Sequence, residues 1–166
     1  RTLVFAAMSH DAFTASATGD LEGGQRRALA EHAPELLARI DQGVRVERLR
    51  GFEGIRGFMR RPWGPGWALV GDAGYFKDPI TVHGITDALR DAELLANAVL
   101  DGATSASLAG YEAERDRVSH RLFDVTDQIA SRTWTIPEVQ TLLREMSDAM
   151  GDELALLEGL DVRVAS

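Results

Sequence analysis

The stretch from Gly66 to Leu100, GWALVGDAGYFKDPITVHGITDALRDAELLANAVL, limits most what this chain can fold into. Trp67-Ala68-Leu69-Val70 reads as a short buried strand that stops at Gly71-Asp72. A loop carrying Asp78-Pro79 follows. Ile85, Ala88, Leu89, Ala92, Leu95, Ala96, Val99 and Leu100 then recur at helical spacing. They predict a helix from Gly84 to Leu100, roughly 25 Å long at a rise of about 1.5 Å per residue. Gly102 stands where such a helix ends.

Strand, Gly-Asp turn, loop and helix in this order make a place to hold a polar ligand. Asp72 falls at the carboxyl end of a strand, where ligands sit in open α/β sheets. A carboxylate there accepts hydrogen bonds from hydroxyls and repels phosphate. Gly71 and Gly74 remove side chains, so a ligand can approach the backbone. Gly84 opens the helix with free N–H groups, and that end favours an anion or an electron-rich carbonyl. An acceptor for hydroxyls beside an anion-stabilising helix end suits the ribityl chain and the N1–C2 carbonyl edge of a flavin. Taken singly, a Gly-Asp pair is a turn and a helix-start Gly is a cap; the ordered set carries the functional reading.

The remainder is mixed before residue 72 and helical after it. Residues 2–8 form a near-continuous apolar run, expected to be a strand covered on both faces. It comes at once after Arg1 and needs a neighbour, so a longer protein is expected. Residues 9–19 read as a loop. Asp20 is placed to cap a helix, Pro34 to open a second short one and Gly43 to end it. Alternating Val44 and Val46 predict a strand through Arg50 with one wet face. Arg60 to Gly66 is a turn-rich connector. A helix is expected from Ser107, carrying Leu108, Tyr111, Val118, Leu122, Val125 and Ile129. Another opens at Thr135-Ile136-Pro137-Glu138, a capping box with Pro just inside. The tail after Gly151 is weakly patterned.

Composition removes several function classes. The formal net charge of -8 argues against a nucleic-acid partner. The absence of cysteine excludes disulfides, thiolate nucleophiles and Cys-based metal sites. No apolar run is long enough to span a bilayer and no signal-peptide pattern opens the chain, so no membrane partner and a cytoplasmic location are expected. His10, His32, His83 and His120 are scattered without metal-ligand spacing, and no metal is expected. Ser9-His10-Asp11 names triad residue types in a row, but consecutive residues do not converge on one site.

Gly71-Asp72-Ala73, Asp78-Pro79, His83-Gly84-Ile85, Asp87-Ala88 and Asp91-Ala92 together resemble the second FAD-binding motif of class A flavoprotein monooxygenases. This is the group with the p-hydroxybenzoate hydroxylase fold, which includes flavin halogenases and geranylgeranyl reductases. The resemblance implies an α/β chain of mixed α+β character. It would be part of an FAD/NAD(P)-binding Rossmann-like domain, with the end of a substrate-domain sheet and a helical C-terminus. Residues 1–62 would end the substrate-domain sheet, 63–104 the FAD-binding domain, and 105–166 form the helical region. It implies FAD as cofactor, NAD(P)H as co-substrate and hydroxylation of a small organic substrate. A flavin-dependent reductase or halogenase of the same fold is the alternative within enzymes. The cofactor-binding residues would be Gly71, Asp72, Ala73, Asp78, Pro79, His83, Gly84 and Ile85. Asp72 would bind a ribityl hydroxyl, Gly84 and Ile85 would lie near N1 and O2, and Asp91 would be structural. Catalytic residues are not indicated.

Departures from the family pattern also count. Gly74-Tyr75 stands where many relatives have Ala-His, and His83 where many have Gln. Trp134-Thr135-Ile136-Pro137 resembles the end of a halogenase motif, but Arg132 replaces its first Trp and a helix start explains it better. The strand–GxGxxG–helix that cradles the FAD pyrophosphate is absent from these residues. A missing N-terminal part of the same protein is therefore an expected partner. The rival from another class is a binding or scaffold module without flavin, whose open strands would pair in a homodimer.

Overall fold

The computed structural model describes residues 3–164. The chain divides into two compact units, Arg1–Ile55 and Arg56–Ser166. At the coarse level the fold is mixed α and β, rich in helix with two small antiparallel sheets.

The first unit contains α1 (His10–Ser16), α2 (Leu21–His32) and α3 (Pro34–Asp41). Residues 9–19, expected as a loop, instead open with a capped helix: the Ser9 hydroxyl accepts the Ala12 N–H at 3.2 Å, and Asp11 sits in the first turn. The predicted cap of α2 is present, with Asp20 Oδ1 accepting the Gly23 N–H at 2.9 Å. Neither expected strand forms a ladder among the described residues; Arg1 and Thr2, at the head of the first, lie outside them. Residues 3–8 alternate exposed and half-buried, with Leu3, Phe5 and Ala7 outward. Val44 and Val46 are likewise exposed. A strand pattern without a neighbour to bond remains irregular chain.

In the second unit β1 (Phe58–Met59) pairs with β4 (Tyr75–Phe76), Phe58 opposite Phe76 and Met59 opposite Tyr75. A separate hairpin pairs β2 (Trp63–Gly64) with β3 (Trp67–Ala68). Pro65 and Gly66 make its turn, with Gly66 at φ +80°, the conformation a type II turn demands of its third residue. The buried strand expected over residues 67–70 is thus shorter, and Trp67 is half exposed. Three long helices follow: α4 (Gly84–Leu100), α5 (Ser105–Ser131) and α6 (Ile136–Val164). The first matches the sequence reading at both ends. The second starts two residues early, because Thr104 caps it by accepting the Ser107 N–H at 3.1 Å. The third opens at the predicted box, where Glu138 accepts from the Thr135 N–H at 2.6 Å. This bond, together with one from the Thr135 hydroxyl at 2.7 Å, holds the Glu138 carboxyl below its usual range. The helix continues through the weakly patterned tail.

Two apolar clusters hold α4, α5 and α6 together. Leu94, Ala98, Tyr111 and Leu160 form one; Leu122, Val125, Ile129 and Ala149 form the other. Because late α6 meets early α5, the two helices run antiparallel. No helix among the described residues is long and apolar enough to cross a membrane.

Candidate functional site

The Gly-Asp segment forms a 3-10 turn, Gly71–Ala73, set directly on α4. Gly71 adopts φ +53°, and a Cβ there would stand 2.8 Å from the Ala88 Cβ. Only glycine allows both the backbone conformation and the close approach. The Gly71 N–H donates to Asp91 Oδ2 at 3.0 Å, so Asp91 anchors the turn from the helix. Asp72 is exposed, and its side chain forms no hydrogen bond among the described residues. Its Oδ1 lies 3.6 Å from the position a Cβ on Gly84 would take. The carboxylate and the open end of α4 are therefore neighbours.

The connecting loop is fixed by short-range bonds. Asp78 Oδ1 accepts the Ile80 N–H at 2.9 Å and caps a second 3-10 turn, Pro79–Thr81. Val82 then takes the left-handed region at φ +54°, its N–H bonded to the Pro79 carbonyl at 2.9 Å. A β-branched residue in that region is strained by ~1–2 kcal/mol. His83 is the N-cap of α4 and makes no side-chain cap bond. Ala73, Pro79, Gly84 and Ile85 are exposed.

Behind this surface lies a buried ionic cluster. Arg90 bonds the Tyr75 hydroxyl and Glu153, reaches Asp91 at 2.7 Å and Asp87 at 3.1 Å, and donates to Ser119 Oγ at 2.9 Å. Lys77 pairs with Asp87, and His83 Nε2 with Glu153. The cluster joins β4, α4, α5 and α6. Three carboxylates against Lys77 and Arg90 leave one net negative charge while His83 is neutral.

Burial dominates the electrostatics. It works against the Arg90 charge, but the Tyr75 hydroxyl and the carboxylates of Asp91 and Asp87 outweigh it, and the guanidinium stays firmly protonated. Burial pushes the Tyr75 phenol far up despite the opposing pull of Arg90. It lowers Lys77, although the Asp87 charge resists. Burial raises Asp91 against the bonds from Arg90 and the Gly71 N–H. For Glu153 burial is overcome by the His83 hydrogen bond and the Arg90 charge, so its carboxyl lies below the usual range.

Sequence reasoning missed this cluster. Asp87 and Asp91 stood in the motif, but nothing marked Arg90, Tyr75 or Glu153 as their partners. Glu153 lies 70 residues beyond His83, in a tail with weak pattern. The i, i+3 pair Asp87–Arg90 was the available signal. His83, expected to stand apart from other ligands, instead meets Asp87 and Glu153, with ligand atoms all within 4.8 Å of one another. Lys77 is paired with Asp87 and Arg90 with Glu153, so the protein's own cations already engage the carboxylates of this set. An open cleft of about 480 Å³ lies elsewhere, against Trp134, Pro137 and Leu142, and no predicted site residue lines it.

The structure thus brings Asp72 to Gly84, and Gly71 to Ala88 and Asp91. Asp78 is engaged in a local cap and His83 in the cluster. Comparison of the chain with protein-family models, curated proteins and solved structures finds no match.

Proposed function

We propose that this chain is the C-terminal part of an FAD-dependent oxidoreductase, an NAD(P)H-using hydroxylase of a small organic substrate. The observation that carries the reading is the pairing of Asp72 with the open end of α4, Oδ1 3.6 Å from the Cβ position of Gly84. An unpaired, exposed carboxylate suits ribityl hydroxyls. The uncapped N–H groups beside it suit the electron-rich N1–C2 edge of an isoalloxazine ring. A side chain at Gly84 would meet only the Asp72 carboxylate, at ordinary contact distance, so the backbone there is open to a flat ring.

Three apolar surfaces support the fragment reading. On α4, Ile85, Leu89, Val99 and Leu100 are 80, 69, 54 and 83% exposed. Leu3 and Phe5 are exposed on one side of residues 3–8, as are Val44 and Val46. In the proposed whole protein, strands carrying the GxGxxG segment cover such faces and bind the pyrophosphate. The flavin supplies the redox chemistry when bound. This chain's residues accept from its hydroxyls, stabilise negative charge at its edge and exclude water from one side.

A second reading has its own support. The buried cluster accounts for Lys77, Asp87 and Asp91 by packing alone, and Gly71 by its approach to Ala88. A scaffold module without flavin would keep all four. The visible absorption spectrum separates the two, recorded with added FAD on this chain and on the longer product of the same gene. Flavin bands at about 370 and 450 nm in the longer protein support the oxidoreductase. No flavin in either form favours the module.

A further inference from the structure

We propose that Glu153 is a positioning residue for the first turn of α4, acting through His83. The far end of the turn is held by Asp87, which pairs with Lys77 and Arg90, but its first residues lack the usual means of order. Its N-cap side chain makes no bond to the backbone of the helix. The residue before that cap, Val82, is held in the left-handed region at φ +54°. The second 3-10 turn is closed by Asp78, and its last backbone bond runs from Val82 to Pro79. Between Val82 and the Asp87 N–H, which donates to the His83 carbonyl at 3.1 Å, the tie to the rest of the protein is the His83 imidazole.

That imidazole reaches Glu153 on α6. Glu153 is itself immobilised, with 3% of its side chain exposed and Arg90 bonded to its other oxygen. Arg90 in turn has no exposed side-chain surface. The first turn of α4 is therefore ordered from the side by a buried carboxylate rather than from its end by a cap. An ordinary Ser or Asp cap would occupy one of the N–H groups that face outward at Gly84 and Ile85. Delegating order to Glu153 keeps those donors free while fixing their direction, which is what a ligand at a helix end requires. What the donors are for rests on the flavin reading above; the geometry does not.

The test uses amide hydrogen exchange on the 166-residue chain. His83→Ala removes the tie and leaves the Arg90–Glu153 pair in place. His83→Gln keeps an N–H donor at similar reach. Exchange at the Asp87 amide, which is bonded to the His83 carbonyl, and at the amides that follow it in the next turn of α4 should quicken about tenfold in H83A, the equivalent of one charge-assisted hydrogen bond. It should return toward the wild-type rate in H83Q, and α5 should be unaffected in both. Glu153→Gln should quicken the same amides. Unchanged exchange in H83A overturns the proposal, as does faster exchange spread through α5, which marks a merely structural contact. A failure of H83Q to restore the rate overturns it too. FAD added to the longer protein provides the independent arm, with weaker retention expected in H83A. If wild-type protein takes up no FAD, the flavin reading fails and the exchange result alone decides this proposal.

Discussion

Arg90 shows how much a single side chain can organise. Its guanidinium meets Tyr75, Asp87, Asp91, Ser119 and Glu153, and no part of it reaches solvent. A buried charge with its donors satisfied is tolerated; the same charge stripped of partners costs several kcal/mol. The pH dependence follows from Glu153, whose carboxyl is held down by His83 and Arg90. Its contribution is complete above the unfolded value of about 4.3 and is lost as pH falls through the lower folded value. Urea titrations between pH 3 and pH 6 should show stability falling more steeply with acid in the wild type than in Glu153→Gln. Asp72 differs from these groups because the fold asks little of it. Asp72→Ala should cost this chain no more than the ~0.3–1 kcal/mol of a carboxylate beside a helix N-terminus, read as a small shift of the urea midpoint. On the flavin reading proposed above, it should weaken FAD retention by the longer protein by ~1.5–3 kcal/mol, the worth of a charged acceptor, read by equilibrium dialysis against FAD.

At the scale of elements, α4 inverts the usual arrangement. Its first two turns bury Asp87, Arg90 and Asp91 and expose Ile85 and Leu89. Apolar periodicity gave the helix its correct ends, yet it could not give the inward face, because hydrophobic patterning assumes that the core is apolar. The caps at Asp20 and Thr135 were legible because they depend on residues within one turn. The strands expected over residues 2–8 and 44–50 form no ladder among the described residues, because apolar patterning marks a strand but does not supply the neighbour it must bond. Asp72 and Gly84 could be paired from the motif, whereas Glu153 could be placed only through the packing of α6. The inverted face has a measurable consequence. Leu89→Lys should change the unfolding free energy of this chain by less than about 0.5 kcal/mol, as read by urea denaturation. In the longer protein, where that face is covered in our reading, the same substitution should be strongly destabilising.

The two units of the molecule differ in what they bury. Between residues 3 and 55 only Ala17, Gly24 and Leu29 are buried, whereas the second unit contains both apolar clusters and the ionic one. Residues 56–166 produced alone should therefore keep a cooperative thermal transition within a few degrees of the whole chain. Circular dichroism at 222 nm would check this, and loss of cooperativity would show that the first unit contributes to the core. The antiparallel pairing of α5 and α6 has a further consequence, in time rather than in energy. The hairpin can zip from the turn after Ser131 using partners close in sequence, so it is suited to form early. The Arg90–Glu153 bond closes a separation of 63 residues and needs both α4 and α6 already in place. Ionic closure is thus a late step of assembly. Damage to it should shorten the lifetime of the folded protein while leaving the speed of folding nearly as it was.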